Sequence, residues 1–146
     1  MKAGKQRVMT VVCCVALATG IQLAGPPSAV ASPVSDWGSQ ADGPASEVRS
    51  AMTRLYEEMN SFNLNGAKAA CRRLQAAAHS LQSMLPSPSP ALTGEIAMGV
   101  DDLLSGSKSC LAVGSDPNKG QIASVRRVFE TATRHLSNAQ SIIDAG

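Results

Sequence analysis

The sequence predicts an all-α fold, an antiparallel up-down four-helix bundle with one disulfide. Three observations lead there. Apolar residues recur at alternating spacings of three and four along four segments, the period of one helix face. The breaks between those segments are short, which favours antiparallel neighbours. Aromatic side chains are limited to Trp37, Tyr56, Phe62 and Phe129, so the core must rest on Leu, Ile, Val, Met and Ala, a composition suited to closely packed helices.

The first helix is expected from about Pro44 to Phe62, with Asp42 or Gly43 near its cap and Pro44 in its first turn. Val48, Met52, Leu55, Met59 and Phe62 form its apolar stripe, and Asn63-Leu64-Asn65-Gly66 reads as the turn that follows. The second is expected from Ala67 to Leu85, capped by Asn65 or Gly66. Its seam of Ala67, Ala70, Leu74, Ala77, Leu81 and Met84 is largely alanine, which lets a neighbour approach closely. Pro86, Pro88 and Pro90 then stop it, because each lacks an amide donor and restricts the residue before it.

The third helix is expected from Pro90 to Val113, with Ser89 as N-cap. Ile96, Val100, Leu103, Ser107 and Cys110 share a stripe; Gly99 and Gly106, seven apart, share a face and read as a place of close helix packing, with a ligand groove as the alternative. The fourth is expected from Asp116 as N-cap and Pro117 as first helical residue to Ile143. Ile122, Val125, Phe129, Ala132, Leu136, Ala139 and Ile143 give it the cleanest amphipathic pattern in the chain.

Residues 1–31 read as a cleaved signal peptide of the general secretory kind. Lys2, Lys5 and Arg7 precede an apolar run from Val8 to Leu23, and Ala29-Val30-Ala31 supplies the small residues that signal peptidase needs. Lys5-Gln6-Arg7 is not a twin-arginine pair, and Val12 before Cys13 disfavours a lipoprotein site. Later segments fall short of membrane-spanning length. The expected location is therefore secreted or at the cell envelope. Residues 32–43, rich in Ser, Gly, Asp and Pro, read as a flexible tether ahead of the bundle domain at 44–146. Trp37 lies within that tether, where it either folds onto the domain or anchors a partner, as an exposed tryptophan can.

The full chain carries a net charge of +2, which becomes −1 once Lys2, Lys5 and Arg7 leave with the signal. Net charge thus gives no case for a nucleic-acid partner. Cys71 and Cys110 are the cysteines that remain, an even number in an oxidising compartment. One lies near the start of the second helix and the other near the end of the third, hence at the same end of an antiparallel pair, and both fall on apolar stripes. Their pairing is expected. Counted from Pro88, however, Cys71 is 17 residues back and Cys110 is 22 forward, so the proline-rich loop or a helix offset must absorb the difference.

Motifs for catalysis are not found. The chain has no Gly-x-Ser-x-Gly elbow and no His-Glu-x-x-His pair. Neither His79 nor His135 has a glutamate three residues before it, as a di-iron bundle requires. Heptad phase points His79 outward and sets His135 beside Leu136 on the flank of the seam, so no metal or cofactor is expected. Glu57-Glu58 and Asp101-Asp102 are adjacent pairs that diverge around their helices and read as solvated faces. One pattern is more specific: Lys68, Arg72, Arg73, Lys108, Lys119, Arg126 and Arg127 all come from helix ends that meet at the disulfide, opposed by Glu57, Glu58 and Asp116. Such an end could hold an anionic lipid head group or an envelope polymer.

The stretch Ala70-Cys71-Arg72-Arg73-Leu74, then Leu85-Pro86-Ser87-Pro88 with Leu92-Thr93, then Gly106 and Cys110, resembles small secreted helical proteins of mycobacteria and related actinobacteria. The likeness covers about the middle third of the expected mature chain. It implies the same disulfide and bundle and an envelope or extracellular location, and it transfers no catalytic residue. Taken together, the expected function is an exported, non-enzymatic binding or interaction module whose partner is a protein or envelope component. A carrier of a small apolar or lipidic ligand is second, and an enzyme third.

Overall fold

The computed structural model describes residues 31–146, so the expected signal peptide, apart from Ala31, lies outside the described residues. Four helices follow in order: α1 (Pro33–Asn60), α2 (Leu64–Gln82), α3 (Pro90–Ala112) and α4 (Lys119–Ala145). Each packs along the next in sequence, whereas α1 and α4 meet only sparingly. This is the expected up-down bundle. Phe129, Leu55, Leu74, Leu81, Leu92 and Leu103 are its largest fully buried side chains, all drawn from the stripes read in the sequence except Leu92.

The expected tether is instead helix. Ser32 caps α1 by accepting from the Ser35 amide at 3.0 Å, Pro33 occupies the first turn, and the helix runs through Pro44 without a break. An internal proline removes one backbone hydrogen bond and is costly in a helix. What outweighs it is burial. Trp37 and Ala41 continue the stripe of Val48, Met52 and Leu55, and Trp37 is only 8% exposed. Its indole Nε1 donates to the Met84 carbonyl at 3.1 Å. Trp37 is therefore a core residue of the domain and not an exposed anchor.

The connection between α2 and α3 absorbs the cysteine offset. Cys71 lies 11 residues before the end of α2, and Cys110 lies 20 after the start of α3. At 1.5 Å per residue the difference is about 13 Å along the axis. The 83–89 connection carries the chain that far beyond α2 before α3 begins, a span well within reach of seven residues. A cis Leu85–Pro86 bond lies within it. The Ser87 amide donates to Thr93 Oγ1 at 2.9 Å and holds the connection against the first turn of α3. The added turns of α1 run alongside this connection, which is why Trp37 meets Met84.

Two other boundaries differ from expectation. Asn63 caps α2, accepting from the Gly66 amide at 3.1 Å, so Leu64-Asn65-Gly66 is the first turn of helix. Asn118, not Asp116, caps α4. Its side chain accepts from the Gln121 amide at 2.9 Å while the Gln121 side chain accepts from the Asn118 amide at 3.1 Å, a reciprocal capping box. Ser89 caps α3 as expected. Gly99 and Gly106 are the close-packing surface: a Cβ at Gly99 would lie 2.9 Å from Leu136 Cδ2, and one at Gly106 would lie 2.8 Å from Phe129 Cε1. The space a ligand would need there is filled by those two side chains. Among the described residues, no helix is long and apolar enough to cross a membrane.

Candidate functional site

The disulfide organises one end of the bundle. Cys71 and Cys110 are bonded with their Cα atoms 6.4 Å apart, joining the first half of α2 to the last turn of α3. That separation lies within the usual range for a disulfide. Both residues are buried, so the bond is part of the core.

Around this end stand the seven cations read from the sequence. Lys68 is half-buried, and Arg72, Arg73, Lys108, Lys119, Arg126 and Arg127 are exposed. Among the described residues the ion pairs are Arg49–Asp42, Arg54–Glu58 and Glu95–His135, so none of the seven is paired. The antiparallel order puts most acids elsewhere. Asp36, Asp42, Glu47, Glu95, Asp101, Asp102, Glu130 and Asp144 lie in the middle or at the opposite end, with only Arg49 and Arg134 among them. The domain is nearly neutral but polar from end to end.

Heptad phase spreads the seven cations around the end rather than into one cluster. Arg73 lies on the side of α2 that faces α1, Arg72 on its solvent side and Lys68 toward α3. Arg126 faces α1, close enough to Tyr56 to oppose a rise in the phenol pKa that burial causes and Glu130 reinforces. The arrangement is a belt.

Between α1 and α2 the belt is indented by an open cleft of about 600 Å³, with Arg54 and Glu58 on one wall and Gly66, Ala70 and Arg73 on the other. Glu58 departs from the expectation of a solvated face, being only 8% exposed. Arg54 Nε lies 2.7 Å from its Oε1, and Asn63 Nδ2 donates to its Oε2 at 2.6 Å. The carboxylate sits over Gly66, where a Cβ would collide with it. Asn63 thus caps α2 and ties that cap to α1. A carboxylate held this way is a fixed element of the wall, and Arg73 and the exposed Glu57 are the charges of the cleft lining that have no ion-pair partner among the described residues.

Phe62 is the feature that reading the stripe missed. It continues the apolar spacing of α1 by count, yet it is 88% exposed. The helix stops at Asn60, and the chain reverses through a Schellman turn: the Phe62 amide donates to the Met59 carbonyl at 3.3 Å and the Asn63 amide to the Glu58 carbonyl at 2.8 Å. Phe62 holds the left-handed position of that turn, at φ 56°, which glycine usually occupies. A bulky residue there costs on the order of 1–3 kcal/mol. Its ring projects from the tip of the basic end.

The histidines do not come together. His79 is exposed and pairs locally with Gln82 Oε1 at 3.3 Å. His135 is held at the α3–α4 seam, its Nδ1 2.8 Å from Glu95 Oε2, and Asn138 Nδ2 donates to the same oxygen at 3.3 Å. The His135 hydrogen bond, foremost, draws the Glu95 pKa below the usual carboxylate value. Sequence reading passed over Glu95 because its partners are some 40 residues away. Among the described residues, no group of His, Cys, Asp or Glu is placed to hold a metal ion. Compared with protein families, with characterised proteins and with solved structures, the chain shows no significant match.

Proposed function

We propose that this protein is an exported, non-enzymatic binding module that docks through its disulfide end onto an anionic component of the cell envelope. One observation carries the reading: seven cations surround one end of a domain of net charge −1, and among the described residues none of them has an acidic partner. An unneutralised patch of one sign repels itself and gives little to stability, and it raises the local concentration of oppositely charged partners. The signal-like N-terminus and the disulfide support an oxidising, extracytoplasmic setting. The anionic partner would present phosphate or carboxylate groups. The filling of Gly99 and Gly106 by Leu136 and Phe129 counts against the carrier reading, which needs room between helices.

The test is binding of the oxidised protein to soluble polyphosphate and to phosphatidylglycerol vesicles over a range of salt. Binding to either probe should weaken steeply with salt and disappear in Arg126→Glu/Arg127→Glu/Arg72→Glu. Binding that ignores both salt and these charge reversals would overturn the reading.

A further inference from the structure

We infer that the anionic partner is a lipid bilayer surface and that Phe62 enters it, an inference that rests on the basic end being the docking surface. Three features of the tip converge. Phe62 is the most exposed large apolar side chain of the described residues, and it stands at the outermost turn of the basic end. Its left-handed backbone fixes the direction in which the ring projects, because the Schellman hydrogen bonds on either side hold that turn. A ring kept in water at a conformational cost gives the fold no packing in return.

The cations are then at the right depth. Lys119 is the first residue of α4, and Lys68 and Lys108 lie four residues in from their helix ends. Four residues of helix are about 6 Å. A side chain that reaches the boundary between head groups and acyl chains penetrates roughly 5–10 Å, which would bring those lysines level with lipid phosphates. Their stems can extend toward that plane while the ammonium groups stay wet. Against these three lysines stand Asp116 in the 113–118 connection and the exposed Glu57, three residues in from the end of α1; Glu58 beside it is buried and paired with Arg54. A soluble polyanion would use the belt and ignore the ring; a bilayer uses both.

The experiment measures sedimentation of the oxidised protein with vesicles of phosphatidylcholine, with and without phosphatidylglycerol. Binding should require the anionic lipid, and Phe62→Asn should weaken it about tenfold, the effect of losing one partly inserted apolar side chain. Asn suits the left-handed position, so that variant keeps the fold and its loss cannot be put down to unfolding. In Phe62→Trp the introduced indole should be quenched by lipids brominated near the head group, while the unaltered protein, whose Trp37 is buried at the far end, should not respond. Undiminished vesicle binding by Phe62→Asn, or an unquenched indole in Phe62→Trp, would overturn the inference and leave the electrostatic reading standing. Salt-sensitive binding to polyphosphate without binding to vesicles would have the same meaning. Failure with both probes would remove the inference together with the proposed function.

Discussion

At one end of this bundle a covalent bond joins α2 to α3; at the other, an indole buried beneath the 83–89 connection joins α1 to the chain beyond α2. The charge differs in step. The covalently closed end carries seven cations, unpaired among the described residues, against the exposed Glu57 and Asp116, whereas the end closed by packing has mostly acids on its surface and the Glu95–His135 contact at its seam. The difference teaches how a small domain can keep a repulsive surface. Repulsion among exposed like charges is modest per pair but accumulates, and a cross-link that limits the unfolded chain offsets it without covering a single cation. The other end has no such bond and depends on apolar contact, so it spends Trp37, Val34 and Ile143 on its own packing.

The most forceful way to break this comparison is to remove the covalent staple. Cys71→Ala/Cys110→Ala opens a 39-residue separation, and the chain-entropy model for such a loop corresponds to about 4 kcal/mol. Urea denaturation should show that loss, and added salt should restore more stability to this variant than to the oxidised protein. Salt-insensitive loss would separate the disulfide from the charge. Next is Trp37→Ala, expected to cost about 3 kcal/mol through lost burial and the orphaned Met84 carbonyl. Helicity measured by circular dichroism should fall as well, because residues 33–43 lose the contact that offsets Pro44. A change of a few tenths would mean those turns are held by something else.

The glycines sharpen the picture along the length of α3. Alanine gains roughly 1 kcal/mol over glycine within a helix, and overpacking a core costs 1–3 kcal/mol. At Gly106 the new methyl meets the fully buried Phe129 ring, which cannot turn away, so Gly106→Ala should be destabilising by about 1–2 kcal/mol. At Gly99 it meets the end of the half-buried Leu136, which can rotate, so Gly99→Ala should be close to neutral. Thermal melts of the two variants compare them directly.

The smallest effect concerns pH. Glu95 has a folded pKa below its ordinary value, chiefly because His135 hydrogen-bonds its carboxylate. Its contribution is therefore complete above the ordinary carboxylate pKa of about 4.3 and is lost as pH falls through the lower folded value. Glu95→Gln should therefore lower stability slightly at neutral pH, where that contribution is complete, leave the most acidic end of a stability-versus-pH series unchanged, and so flatten the limb between them.

The four helices and the Cys71–Cys110 bond were legible because they depend on local period and on which helix ends meet. The start of α1 was misread for a local reason: Gly38, Gly43 and Pro44 argue against helix one by one, and the Ser32–Pro33 start with Trp37 and Ala41 in phase argues for it only once burial is known. Asp116 and Asn118 are both able caps, and the reciprocal bond to Gln121 decides between them. Of the candidate site, the cations could be read because helix ends are predictable. Phe62 could not, since counting along a stripe does not reveal which residue lies past the last turn. Glu95 escaped because its partners lie on α4, and Glu58 because its burial depends on how the Asn63 cap and Gly66 of α2 fold against it, although Arg54 stands four residues before it in the same helix.

The most direct test of the central claim is a residue-by-residue map of binding by amide NMR, titrating the oxidised protein with polyphosphate and then with phosphatidylglycerol nanodiscs. Shifts should be confined to residues near 62–73, 106–113 and 117–127, with the Phe62 region responding to nanodiscs alone. Shifts centred on the Trp37–Met84 end, or no shift with either probe, would contradict that claim.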